Sequence, residues 1–138
     1  MPAKFMLEII TPERVFFHGE AESVIFPTAD GDMSIQKMHE PMVALVTVGD
    51  MRICVDGEWK QCTTSEGFVE VRPDETIIFS QAVEWPEEID IRRAQEAKER
   101  AEERLRQTQS YQEYMQNQIS LARAMVRLRV GRRSQNLD

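Results

Sequence analysis

Apolar residues alternate with polar ones through the first half of the chain and recur at helical spacing through the second. FMLEII (5–10), RVFFHGE (14–20), ESVIFP (22–27), MVALVTV (42–48), MRICV (51–55), FVEV (68–71) and TIIFS (76–80) are short runs rich in Val, Ile and Phe. Such runs read as strands. Thr11-Pro12, Asp30-Gly31, Gly49-Asp50, Asp56-Gly57, Glu66-Gly67 and Arg72-Pro73-Asp74 separate them as turn signals. Asp56-Gly57 is the clearest, because Asp and Gly tolerate the positive φ of a type I′ turn. It predicts a hairpin of MRICV with EWKQC. Closely spaced strands joined by turns imply an antiparallel sandwich or barrel.

From Ile91 the chain runs to about Gln107 without Gly or Pro, and Ala94, Ala97, Ala101 and Leu105 fall on one helical face. Asp90 is placed to cap this helix. After a polar break at Thr108-Gln109, Ser110-x-x-Glu113 forms a capping box. The second predicted helix runs to about Val130, with Met115, Ile119, Ala122 and Val126 on one face and Gly131 as its C-terminal cap. The two helices, taken as similar in length, should fold back as an antiparallel hairpin. Its alanine-rich faces bury little area, so the packing should be weak enough to exchange for another partner. A stable alanine-rich hairpin is the plainer reading of the same pattern.

Composition sharpens the division. Residues 1–86 hold 15 acidic and 6 basic groups, and residues 87–138 hold 9 acidic and 11 basic groups. All six prolines and five of the six glycines fall in the first segment. The expected domains are therefore 1–86 and 87–138. At 138 residues with 41% hydrophobic and 30% charged content, the chain has the makeup of an ordinary folded protein. No apolar run is long enough to cross a membrane, and the first residues lack a signal-peptide pattern. Cys54 and Cys62 do not face each other in the hairpin register and read as reduced strand residues. The phosphate-loop, dinucleotide, zinc-protease and C-x-x-C motifs are absent. His18 and His39 have no companions at metal-ligand spacing. No nucleophile–base pair can be assembled, so an independent enzyme is not expected.

The arginines carry the most chemical information. Arg93 and Arg100 are seven apart and share a face of the first helix; Arg123 and Arg127 are four apart and share a face of the second. Pairing about the 108–110 break would set Arg93 opposite about position 125 and gather both pairs near the open end of the hairpin. Planar guanidinium forks suit phosphate oxygens, so the four could hold a polyphosphate. They could equally be solvated and paired with Glu96, Glu99, Glu102 or Glu103 along the helix. The chain is acidic overall and no aromatic residues interleave with the basic tail, so nucleic acid is not an expected partner. An acidic protein surface suits the basic second helix better.

The sequence resembles the epsilon subunits of bacterial F-type ATP synthases. The opening MLEIITPERVFFHGEAESVIFPTADGDMSI carries the family's L-E-I-x-T-P-E-R start and A-D-G-D turn. HEPMVALVTVGDMRI, GFVEVRPDETIIF and EEIDIRRAQEAKERAEERL follow in family order. Gln36-Lys37-Met38 departs from the Pro-Gly or similar turn common before the family's histidine. The resemblance implies a β-sandwich of about ten strands followed by a two-helix hairpin. It implies a non-catalytic rotor subunit on the central stalk, which couples proton translocation to ATP synthesis. The implied partners are the gamma subunit, the c-ring of the membrane sector and, through an extended hairpin, the alpha and beta catalytic subunits. The implied location is peripheral, on the cytoplasmic face of the bacterial cell membrane, without membrane insertion. The extended hairpin would inhibit ATP hydrolysis.

The resemblance also carries over a regulatory ligand. Ile89-Asp90-Ile91-Arg92-Arg93-Ala94 matches the I/L-D-x-x-R-A motif with which some family members bind ATP without hydrolysing it. The residues implied are Glu84, Ile89, Asp90, Arg93, Ala94, Arg100, Arg123 and Arg127, with the arginines on the phosphates and Glu84, Ile89 and Asp90 around the nucleoside. No cofactor is required, and ATP would act only as a regulator. The same stalk subunit without meaningful ATP binding, or an unrelated protein-binding adaptor, are the alternatives.

Overall fold

The computed structural model describes residues 3–135. The chain divides after Glu84 into two compact units. The first holds ten strands: β1 (Phe5–Ile10), β2 (Val15–Ala21), β3 (Ser23–Thr28), β4 (Gly31–Ile35), β5 (Met42–Val46), β6 (Gly49–Val55), β7 (Glu58–Thr64), β8 (Gly67–Val71), β9 (Glu75–Ser80) and β10 (Val83–Glu84). They form two five-stranded sheets with orders β2-β1-β9-β8-β5 and β10-β7-β6-β3-β4. All pairings are antiparallel except β1 with β9, which is parallel. Alternation along each strand builds the core. Leu7, Ile9, Val24, Phe26, Ile35, Met51, Ile53, Val69 and Ile78 are buried on the inward faces.

The turns behave as their residues dictate. Asp56 and Gly57 both have positive φ, 51° and 80°, and close the β6–β7 hairpin as expected. Cys54 faces Trp59 and Cys62 faces Met51, so the thiols are not paired. Thr11-Pro12-Glu13-Arg14 is a closed turn: the Thr11 hydroxyl accepts from the backbone N–H of Glu13 at 3.3 Å and of Arg14 at 3.2 Å. The loop that departs from the family turn is closed by the His39 N–H on the Gln36 carbonyl at 3.2 Å. Within it Met38 takes a positive φ of 72°.

Two strands escape the sequence pattern. β4 is mostly exposed, and β10 is two residues long. Neither offers the alternation on which strand reading depends. Gly67, which opens the GFVEVRPDETIIF segment, is fixed by close approach. A Cβ there would stand 1.8 Å from the Phe79 carbonyl oxygen.

The second unit begins with a 3₁₀ turn, Pro86–Glu88, followed by α1 (Ile91–Leu105) and α2 (Tyr111–Gln135). Asp90 caps α1, its carboxylate accepting from the Arg93 N–H at 3.1 Å. Ser110 begins α2 in the same manner, accepting from the Glu113 N–H at 3.1 Å while its hydroxyl donates to the Glu113 carboxylate at 3.2 Å. The two helices pack as an antiparallel hairpin but are unequal, 15 and 25 residues long. Gly131 is not a cap: α2 runs through it.

The packed face of α2 also differs from expectation. Gly131 stands against Ile89 and Ile91, and Ala124 and Leu128, both buried, share its face. The stripe expected to face α1 instead loses burial along its length. Val126 is 7% exposed, whereas Ile119 is 38% and Met115 is 43%. The C-terminal part of α2 is apolar on several sides, so periodicity alone does not select its packed face.

Candidate functional site

The segment around Asp90 is where sequence and geometry meet. Its members divide between structural and exposed roles. Ile89 is 7% exposed and follows the 3₁₀ turn. Asp90 uses its side chain on the Arg93 N–H and its carbonyl on the Ala94 N–H, the latter at 3.0 Å. Ala94 is fully buried, as is Ala101 two turns later. Three residues of the I-D-x-x-R-A pattern thus set the start of α1 and its packed face. Arg93 and Arg100 remain exposed on that helix. Arg123 and Arg127 are half-buried on α2. Glu84 belongs to the other unit, where it ends β10 and pairs with Thr63.

The helix register is later than the break alone suggests. Gly131 lies beside Ile89 and Ile91, and Arg132 donates to the Gln95 side-chain oxygen at 2.9 Å. Residue 93 is therefore level with the 131–132 turn rather than with position 125. Arg100 comes level with the Arg123–Arg127 stretch, and Arg93 lies about two turns nearer the open end. The four arginines are spread along the hairpin rather than gathered at its mouth. Arg100 also lines a shallow groove with Glu96, Glu99, Glu103, Arg104 and Gln107. Three carboxylates near this guanidinium make its surroundings mixed in sign.

The sandwich offers no chemistry of this kind. Among the described residues no group of His, Cys, Asp and Glu is placed to hold a metal ion. Burial pushes the Cys62 thiol far above its ordinary range, with the nearby Asp50 charge adding to the effect. It is therefore an inert core residue. The Lys4 ammonium donates to Asp56 at 2.9 Å, and the Gly57 N–H donates to Glu22 at 3.0 Å. These contacts tie down the β6–β7 turn.

A surface feature went unread in the sequence. Val43, Leu45 and Phe68 are 69%, 76% and 41% exposed on one face of β5 and β8, where Leu45 lies opposite Phe68. Phe68 in turn stacks on Phe79 with ring centroids 4.8 Å apart. The signal was present in Met42-Val43-Ala44-Leu45-Val46, which is apolar at both phases of the alternation. A strand apolar on both faces, with one face exposed, is a candidate docking surface.

The match to known proteins spans both units. The β-sandwich domain of the ATP synthase delta/epsilon chain matches residues 4–86, and its long α-helix domain matches residues 87–131. This defines the class: a non-catalytic subunit of a rotary synthase. The chain belongs to the ATP synthase epsilon chain family. It is 50% identical over 126 residues to the epsilon chain of Ruminiclostridium cellulolyticum, covering 91% of this chain and 94% of that one. It is 46% identical over 138 residues to that of Caldanaerobacter subterraneus subsp. tengcongensis, covering 99% and 100%. The fold is shared with a chain of the Euglena gracilis mitochondrial ATP synthase OSCP/F1/c-ring structure. There the TM-score is 0.75 at 22% identity, over 91% of this chain and 79% of that one. A chain of the Tetrahymena thermophila central stalk and c-ring structure gives 0.69 at 11% identity, over 94% and 98%.

Proposed function

We propose that this chain is a rotor subunit of the central stalk, whose sandwich docks on the gamma subunit and the c-ring and whose hairpin regulates ATP hydrolysis. The Val43–Leu45–Phe68 face supports the docking role, since an exposed apolar strand face gains by being covered. The solved structures that share the fold come from complexes described by their F1 and c-ring or central stalk parts. The proposed location is peripheral, at the cytoplasmic face of the cell membrane. No helix among the described residues is long and apolar enough to cross it.

The closed hairpin is proposed to bind ATP without hydrolysing it. One observation carries this reading: antiparallel closure brings Arg100 level with Arg123 and Arg127, so guanidinium groups from both helices share one stretch. Arg93 extends the set toward the open end, and residue-by-residue resemblance adds Glu84, Ile89 and Asp90. A ligand that needs both helices binds only the closed form and shifts the equilibrium by its differential affinity. At ATP about 100 times the dissociation constant, the closed form gains about 2.7 kcal/mol. High ATP would keep the hairpin closed. Low ATP would release it to reach the alpha and beta subunits and inhibit hydrolysis.

The mixed charge of the Arg100 groove favours a second reading, in which the arginines serve protein docking alone. Calorimetric titration of the full chain with ATP, using ADP and GTP as controls, separates the two. The nucleotide reading expects saturable, ATP-selective binding weakened at least tenfold by Arg127→Ala, since charge-assisted bonds to phosphate are strong. No binding at millimolar ATP returns the arginines to docking. Failure to form a stable complex with gamma would remove the stalk assignment itself.

A further inference from the structure

Gly131 lies inside α2, which continues to Gln135. Glycine is a poor residue for a helix interior, because it has the most backbone freedom to lose. Its surroundings explain its presence. A Cβ at this position would stand 3.1 Å from Ile89 Cγ2, 3.2 Å from Ile91 Cγ1 and 3.4 Å from Ile89 Cβ. Ordinary contacts between carbons lie near 3.5–4.0 Å. The crowded atoms are not the tips of long, pliable side chains. They sit on or next to the branch point of two β-branched residues, which are stiff about χ1.

Ile89 has little room to retreat, whereas Ile91 is only partly buried. Ile89 is 7% exposed, and its N–H donates to the Pro86 carbonyl at 3.3 Å. Ile91 is the first residue of α1, directly after the capping Asp90. Relief of the Ile89 contact would therefore press on the segment that leads into the Asp90 cap and the start of α1. Arg132 adds a polar contact at the same corner through its bond to Gln95.

We propose that Gly131 sets how firmly the hairpin closes. Its missing side chain lets α2 seat on the Ile89–Ile91 corner, and a methyl group there shifts the hairpin toward its open form while strengthening α2 as a helix. The inference rests on the reading that the hairpin has an open form, and it supplies the residue that fixes the balance. The two effects separate because they act on different states. Alanine's helical preference favours α2 whether the hairpin is open or closed. Crowding against Ile89 and Ile91 exists only when it is closed, so crowding alone changes the ratio.

Hydrogen exchange on the full chain, read by mass spectrometry, tests this with three variants: Gly131→Ala, Ile89→Ala and the double variant. Gly131→Ala should raise exchange in α1 about tenfold, the scale of a core crowded by one methyl group. Helical circular dichroism should be unchanged or higher. In the Ile89→Ala background the same change should raise exchange less, because the nearest atom, Ile89 Cγ2, is gone while Ile91 Cγ1 at 3.2 Å remains. Unchanged or slower α1 exchange in Gly131→Ala would overturn the proposal. An equally large rise in the Ile89→Ala background would overturn it as well. If α1 in the unaltered chain exchanges only as slowly as the sandwich core, the hairpin has no open form of its own. The regulatory reading then falls, and this inference with it.

Discussion

Met38 holds a backbone conformation that its side chain disfavours. Its φ of 72° lies in the left-handed region, where an L-residue's Cβ crowds the following carbonyl at a cost of about 1–2 kcal/mol. The side chain is 85% exposed, so packing does not offset the strain. Gly has no Cβ and relieves it, though a freer unfolded chain returns about 0.4–1 kcal/mol of the gain. Met38→Gly should therefore stabilise the sandwich by about 0.5–1 kcal/mol. Urea denaturation checks this, and a midpoint that fails to rise would show that the turn carries no strain. The sequence marked 36–38 as a departure from the family turn. It could not show that a methionine occupies the glycine-like position, because Met carries no turn preference.

At the scale of elements, Gly67 is a point of close backbone approach between β8 and β9. Its Cβ would fall 1.8 Å from the Phe79 carbonyl oxygen and 2.8 Å from the Ser80 Cα. Both obstacles are backbone, so no rotamer change relieves them. Gly67→Ala should cost about 3 kcal/mol or more and separate the start of β8 from the end of β9. Chemical denaturation with exchange in these two strands reads both effects; a loss below about 1 kcal/mol would mean that the strands shift apart without penalty. The elements were legible in the sequence where one residue type sits at a period. The core strands appeared on that basis, and the Asp90 and Ser110 caps from their capping chemistry. β4 and β10 did not, because an exposed edge and a two-residue strand have no buried face to alternate. The face of α2 was misread for the opposite reason. Val126, Leu128 and Val130 are all buried, so its apolar positions surround the helix instead of marking one side.

For the whole molecule, the division after Glu84 gives the proposed ATP binding a local signature. Much of the proposed site was visible in the sequence, because arginines four or seven apart must share a helical face. Their level along the hairpin was not. It depends on the seating of Gly131 against Ile89 and Ile91, which places Arg93 toward the open end and Arg100 level with the Arg123–Arg127 stretch. A ligand held by both helices slows hairpin opening without touching the strands that make the sandwich core. At ATP 100 times its dissociation constant, amides of α1 and α2 that exchange through opening should slow by about 100-fold. Those of β1, β6 and β9 should keep their rates. Arg127→Ala, with affinity at least tenfold weaker, should cut the slowing at the same ATP concentration to about tenfold. Exchange measured with and without ATP decides the matter. Equal slowing in sandwich and hairpin would place the ligand elsewhere, and slowing that survives Arg127→Ala would take that residue out of the site. The predicted contrast follows from thermodynamics alone: a regulator can bias only the equilibrium whose two states it binds unequally.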